Sequence, residues 1–385
     1  MNCRLFVFFV MAVLIIMLSA AGAEAQTSPL TPGTVSAVQP VTCPTDFWSA
    51  TGNPAVCFQA LMACTNTPNL SFTYGYDTPT SPKGTIVLFT DASGVIGRVG
   101  DVKNFAEDYY NAGYEVVEIG WNTDWEQTAD PLGLMTAACR PAGFLAYALT
   151  NALLNARIGN PGAGFCAQGT SAGSGALGYS LAWYGDGGGN YLSADLDDVE
   201  LISGPVFGNI QLGCQYPPPP NGSNVICGPG QYGCSVGTTT WLDGLQYTPN
   251  DAGPVGRWTN DLTCGGPVTT SSTSNAKWLA MSIVNGTGGN FSYPTTGLAG
   301  WLCASSTANS CAAPDCPNNS GAQGNFFFKQ ITSGLQAVNF KLTGITGCNG
   351  PENIESGTDP DPPYLTGKAA VEQRMKVQCT HPSPN

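Results

Sequence analysis

Gly169-Thr170-Ser171-Ala172-Gly173 is the stretch that decides the fold. It is a G-x-S-x-G run. A short apolar segment, residues 164–167, precedes it, and a helix-like segment, residues 174–184, follows. That context is a strand, a sharp turn and a helix, the setting of a nucleophile elbow. A serine on so tight a turn needs small neighbours on both sides, because strand and helix backbones pass close together. The turn raises the Ser171 hydroxyl above a sheet. The Ala172 N–H, at the helix start, then faces a developing oxyanion.

Outward from this turn, the chain has the rhythm of a parallel α/β sheet. Residues 85–90 read as a buried strand, 102–112 as a helix, and 114–119 as a strand. Residues 137–156 read as a long helix, with Phe144, Leu145, Ala148, Leu149, Ala152 and Leu153 on its apolar side. Residues 165–167 lead into the turn and 176–184 lead out as a helix. Further strands are expected at 199–203, 277–284 and 335–342, and a final helix at 367–378. Alternating strands and helices imply right-handed crossovers. Upstream, residues 69–76 alternate like a strand, and Val56, Phe58, Leu61 and Met62 read as a helical patch. Cys43, Cys57 and Cys64 suggest a small stapled N-terminal subdomain.

The first 25 residues read as a secretory signal: Arg4, an apolar run over 5–18, and an Ala23-Glu24-Ala25 cleavage site. The expected location is therefore secreted or extracytoplasmic, with no membrane span after cleavage. Residues 26–42, rich in Pro, Thr and Ser, read as an extended linker. Residues 43–385 then form one domain. Two segments break its rhythm: a Cys-rich insertion or cap at 208–275 (Cys214, Cys227, Cys234, Cys264) and a Cys loop at 303–323.

The chain has 15 cysteines. Fourteen lie beyond the signal, an even number that suits disulfides in an exported protein. The single histidine and the absence of metal-type Cys pairs argue against zinc, and no glycine-rich phosphate or dinucleotide motif appears, so no cofactor is expected. Charged residues make up 10% and the net charge is −13, a poor surface for nucleic acid or anionic membrane. Sequons stand at Asn69, Asn221, Asn285, Asn290 and Asn318.

From about residue 83 to 342, these elements resemble the α/β-hydrolase superfamily. The resemblance implies a mostly parallel sheet flanked by helices, with disulfide-rich insertions, and a site built from loops at the carboxyl ends of the strands. It makes Ser171 the nucleophile. It also makes residues 91–94 the oxyanion loop, whose Ala92 or Ser93 N–H joins that of Ala172. The His-Gly-Gly-Gly run many members carry there is missing. Trp121 and Trp125 are candidates for an aromatic wall beside the substrate, or else packing residues.

The rest of a triad is not where the resemblance puts it. The base position, residues 347–353, holds Glu352 and no histidine. Residues 285–290, the expected acid position, carry no carboxylate, and the alternative position offers Asn209. His381 lies beyond the final helix. A helix of 12 residues rises roughly 18 Å, so one starting at the site carries His381 to the opposite end unless a Cys348–Cys379 bridge draws it back. Three readings stand. One is a serine hydrolase acting on small or polymeric esters, with Glu352 or His381 as base. The second is a catalytically inactive member of the same fold that binds an extracellular partner or serves a structural role. The third is a pure binding module, with the Cys-rich insertion as its recognition surface.

Overall fold

The computed structural model describes residues 30–52, 54–65, 67–90, 94, 103–123, 125, 134–170, 172–184, 192–202, 295–303, 340–346 and 357–381. Among these, nine strands form one sheet: β1 Thr34–Val41, β2 Val56–Cys64, β3 Thr67–Asp77, β4 Gly84–Phe89, β5 Glu115–Trp121, β6 Gly164–Thr170, β7 Asp198–Ile202, β8 Gly297–Cys303 and β9 Phe340–Ile345. Their order across the sheet is β1-β2-β3-β5-β4-β6-β7-β8-β9. The first three pair antiparallel, and β3 is antiparallel to β5. From β5 to β9 every pairing is parallel. Four longer helices pack on it: α1 Lys103–Asn111, α2 Cys139–Thr150, α3 Ala172–Tyr184 and α4 Gly367–Gln378.

The composition of the central strands explains their place. β4, β5, β6 and β7 are buried along their whole length, as strands covered on both faces must be. Side chains alternate between two cores. Val87, Phe89, Ala167, Val199 and Leu201 face α2 and α3, where Phe144, Leu145 and Leu177 meet them. Ile86, Leu88, Cys166, Ile202 and Ala299 face α1 and α4, against Phe105, Tyr109, Val371 and Met375.

The helices divide between the faces for a reason of handedness. The crossover from β4 to β5 moves one way along the sheet through α1. Those from β5 to β6 and from β6 to β7 move the other way through α2 and α3. Crossovers of one hand running in opposite directions place their helices on opposite faces. The reversal falls between β4 and β6, which makes their carboxyl ends the topological switch point.

Several expectations are corrected. Residues 56–64 are a strand, not a helical patch. The short apolar run carried no decisive period, and pairing with both β1 and β3 settles it. Thr34–Val41, expected within a linker, is the edge strand β1. The three N-terminal cysteines do not staple a separate unit. Cys43 bonds Cys57 locally, but Cys64 bonds Cys139 at the head of α2. The long helix stops at Thr150. Asn151 and Asn155 accept from Leu153 N–H and Arg157 N–H, and this local side-chain bonding opens a turn. β8 at Gly297–Cys303 was not anticipated. The strand expected at 277–284 lies outside the described residues, as do the insertion at 208–275 and nearly all of the Cys loop at 303–323. Among the described residues no helix is long and apolar enough to cross a membrane.

Candidate active site

The turn at residues 169–173 joins β6 directly to α3. Ser171 itself lies outside the described residues, but both glycines that flank it are described, and each is enclosed by backbone. A Cβ on Gly169 would run into the Gly173 carbonyl and come within 2.7 Å of Ser174 N. A Cβ on Gly173 would run into the Phe89 carbonyl oxygen and lie 2.8 Å from Thr90 O. Real Cβ atoms do not approach backbone so closely, so both positions exclude any side chain. The first turn of α3 is fixed as well: Ser174 Oγ donates to Gly169 O at 2.9 Å and to Ile202 O at 2.8 Å. These contacts tie the helix start to the carboxyl ends of β4, β6 and β7.

That is the switch point found from the strand order. In register, Gly169 stands beside Phe89 on β4 and Leu201 on β7. Ala172 is the first residue of α3. Its N–H therefore belongs to the first turn, where no carbonyl of the helix can accept it. Ala92 and Ser93 lie outside the described residues, while Gly94, which ends their loop, is described.

Trp121 and Trp125 do not form an exposed wall. They are 1% and 2% exposed. Trp121 is the last residue of β5 and packs on Phe72, with ring centroids 5.1 Å apart. Both are buried in the core that covers the α2 and α3 face of the sheet.

Glu352 lies outside the described residues, but the neck of its loop is defined. Thr346, just past β9, exchanges backbone hydrogen bonds with Thr358 at 3.0 and 2.8 Å. Thr346 and Thr358 thus stand side by side at the carboxyl end of β9. Gly367 N–H donates to Gly357 O at 2.9 Å, so α4 begins at this same end. Thr366 caps it through Ala369 N–H at 3.3 Å.

The helix then carries the chain away. Cys379 is bonded to Cys166 in β6, not to Cys348. Thr380 bridges Ala163, ahead of β6, and His381 N–H donates to Gly162 O. The His381 ring meets Asp197 at 2.8 Å, just before β7 begins. Asp197 also pairs with Arg157 and accepts from Phe165 N–H. His381 therefore sits at the amino end of β6, while Ser171 follows its carboxyl end. The 7 residues of β6 put roughly 23 Å between its two ends. His381, a candidate base from the sequence, is thus held at that amino end, where its contacts tether the C-terminal segment.

Sequence reasoning missed one residue at this rim. Arg140, on the first turn of α2, is 1% exposed and donates to the carbonyls of Trp125 and Pro68. A lone arginine in an apolar helix was the available signal. Among the described residues no group of three His, Cys, Asp or Glu side chains is placed to hold a metal ion.

No protein-family model and no curated protein matches the chain. Several solved structures are similar over most of its length. Acetyl xylan esterase 1 from Thermoanaerobacterium sp. JW/SL YS485 is 8% identical, covers 91% of this chain and 89% of its own, and has a TM-score of 0.45. An acetyl xylan esterase from Paenibacillus sp. R4 is 11% identical over 90% and 89%, with a TM-score of 0.42. Est1E from Butyrivibrio proteoclasticus is 10% identical over 83% and 98%, with a TM-score of 0.41. Identities this low leave the chemistry to be argued from this chain's own residues. Its strand order, its switch point and its glycine-packed turn give it an α/β-hydrolase-type fold.

Proposed function

We propose that this chain is a secreted serine hydrolase acting on ester bonds, with Ser171 as nucleophile. The observation that supports it most is the packing of Gly169 and Gly173 at the switch point. An ordinary strand-to-helix turn tolerates a Cβ. Exclusion of side chains on both sides of one serine, at the end of the sheet where ligands bind, is what a raised nucleophile requires.

In this reading the Ser171 hydroxyl attacks the ester carbonyl and its proton passes to a base. The oxyanion is held by Ala172 N–H and by Ala92 or Ser93 N–H. The alcohol leaves, and water then releases the acid from the acyl-serine. Glu352 is the proposed base, on the loop whose neck is fixed at Thr346 and Thr358. A carboxylate base favours acid pH or a raised pKa. The proposed acid is Asp315, the first carboxylate in the sequence after β8 at Gly297–Cys303, in place of residues 285–290, which carry none. Residues 1–25 are the proposed signal, and small or polymeric esters the proposed substrates.

A second reading is favoured by one specific observation. The only histidine of the chain is held by Asp197 at the far end of the sheet. In that reading the protein keeps the fold and binds an extracellular partner without turnover.

Hydrolysis of p-nitrophenyl acetate by residues 26–385, from acid to neutral pH, separates the two. The enzyme reading predicts turnover that falls by about three orders of magnitude or more in Ser171→Ala, and a pH profile that changes in Glu352→Gln. Equal rates for wild type and Ser171→Ala overturn it.

A further inference from the structure

Gly94, five residues past the end of β4, lies against Trp121 and Trp125, at and beyond the end of β5. Its φ is +71°, in the left-handed region that favours glycine. A Cβ there would lie 2.8 Å from Trp121 Cδ1, 3.3 Å from its Nε1 and 3.8 Å from Trp125 Cδ1. Gly94 thus rests flat on the edge of Trp121, with Trp125 beside it.

Trp121 is fixed by the sheet. It stands opposite Phe72 on β3, and Phe72 in turn packs edge-on against Phe144 of α2, centroids 5.7 Å apart. Trp125 lies four residues past the end of β5, where no ladder holds it. Its backbone is held by Arg140 instead. One guanidinium nitrogen donates to Trp125 O at 2.5 Å and another to Pro68 O at 2.9 Å. The cation therefore joins the loop after β5 to the start of β3. Burial pulls the Arg140 guanidinium down to about 10, which leaves it charged at neutral pH. Burying a cation is costly, and an apolar side chain would fill the same volume. What arginine adds is a planar fork that reaches two carbonyls at once.

The geometry points to Arg140 as a positioning residue of the carboxyl rim: by holding the backbone of Trp125 it fixes the side of Gly94 that the sheet-held Trp121 does not. The consequence for catalysis rests on the proposed hydrolase function; the placement of Gly94 does not.

The test uses the whole mature chain with Arg140→Met, which fills the volume without donors, and Arg140→Lys, which keeps the charge but not the fork. Hydrogen–deuterium exchange is read on peptides spanning 90–105 and 121–130, against peptides on β4 and β6, with urea unfolding as the measure of global stability. Exchange at the rim is expected to rise roughly tenfold to a hundredfold in both variants, the range set by losing a charged hydrogen bond, with the strand peptides unchanged. Unchanged rim exchange, or a rise shared equally by the strands, overturns the proposal. If Arg140→Met does not fold, Arg140→Lys carries the test. A fluorophosphonate reaction at Ser171 is the second readout, expected to slow by a similar factor in the variants. A wild-type chain that does not react removes the hydrolase reading, while the exchange result still decides the role of Arg140.

Discussion

On the α1 and α4 face of the sheet, β7 presents two carboxylates, Asp198 and Glu200, both with 0% exposure. One cation meets them. Arg374 Nη1 lies 2.7 and 2.8 Å from the two oxygens of Asp198 and 2.8 Å from Glu200 Oε1. The Trp301 indole donates to the other Glu200 oxygen. Around them stand Gln168 on β6, Tyr109 and Asp108 on α1, and Glu372 on α4. Two negative charges against one positive leave an excess in a dry site, and such sites take up a proton. Burial first, then the charge of Glu200, push the Asp198 carboxyl well above the usual carboxylate range, and Arg374 offsets this only in part. In the unfolded chain Asp198 ionises near about 3.9. Above that pH the folded state binds one proton more than the unfolded state. Stability therefore falls as pH rises toward the folded pKa, by up to about 1.4 kcal/mol per pH unit. Asp198→Asn keeps the shape and a hydrogen bond but removes the titrating proton. Urea unfolding at fixed ionic strength between about pH 5 and 8 should give the variant a shallower dependence, by up to about 1.4 kcal/mol per unit. Parallel dependences for wild type and Asp198→Asn would refute the reasoning. Arg374→Met is the converse. It strands both carboxylates and should cost roughly 3–5 kcal/mol at neutral pH, partly recovered on acidification.

Three further outcomes follow from the packing. Gly173→Ala forces a methyl against Phe89 and Thr90 backbone, and should lower stability by about 1–3 kcal/mol or more; an unchanged urea midpoint would contradict the packing of the elbow. The Cys166–Cys379 bridge spans 213 residues. Chain entropy gives about 5 kcal/mol as an upper value for such a loop, so the double alanine variant should unfold at clearly lower urea than wild type, and reductant should shift its midpoint less than that of wild type, because Cys43–Cys57 and Cys64–Cys139 remain. His381→Ala should leave ester hydrolysis unchanged and cost less than about 1 kcal/mol, because its contact with Asp197 is partly exposed; a large loss of turnover would return His381 to the site.

The strands β4 to β7 were legible because short segments with apolar cores alternate with helix-like segments, and the last helix because Thr366 marks its start. The final helix, Gly367–Gln378, occupies the range expected from the sequence. The strands that were misread sit where the local signal is mixed. β1 is mostly exposed, so its Pro, Thr and Ser content resembles a linker. β2 alternates imperfectly, and its strand state comes from two neighbours that no local window contains. At the site, the turn was readable because steric demand leaves its mark as glycine. The fate of His381 also followed from length, since a helix that begins at one end of the sheet must finish at the other. Packing was one of two open readings for Trp121 and Trp125, while the partners of Arg140 were hidden, because a bond to a distant carbonyl leaves no local pattern.

The most direct measurement is intact-mass and peptide mapping of the oxidised mature chain after exposure to a fluorophosphonate, from acid to neutral pH, beside Ser171→Ala. One adduct is expected, on Ser171, lost in the variant and dependent on pH in a way that Glu352→Gln alters. A folded chain that takes no adduct at any pH, or takes it elsewhere, would contradict the assignment of Ser171 as nucleophile.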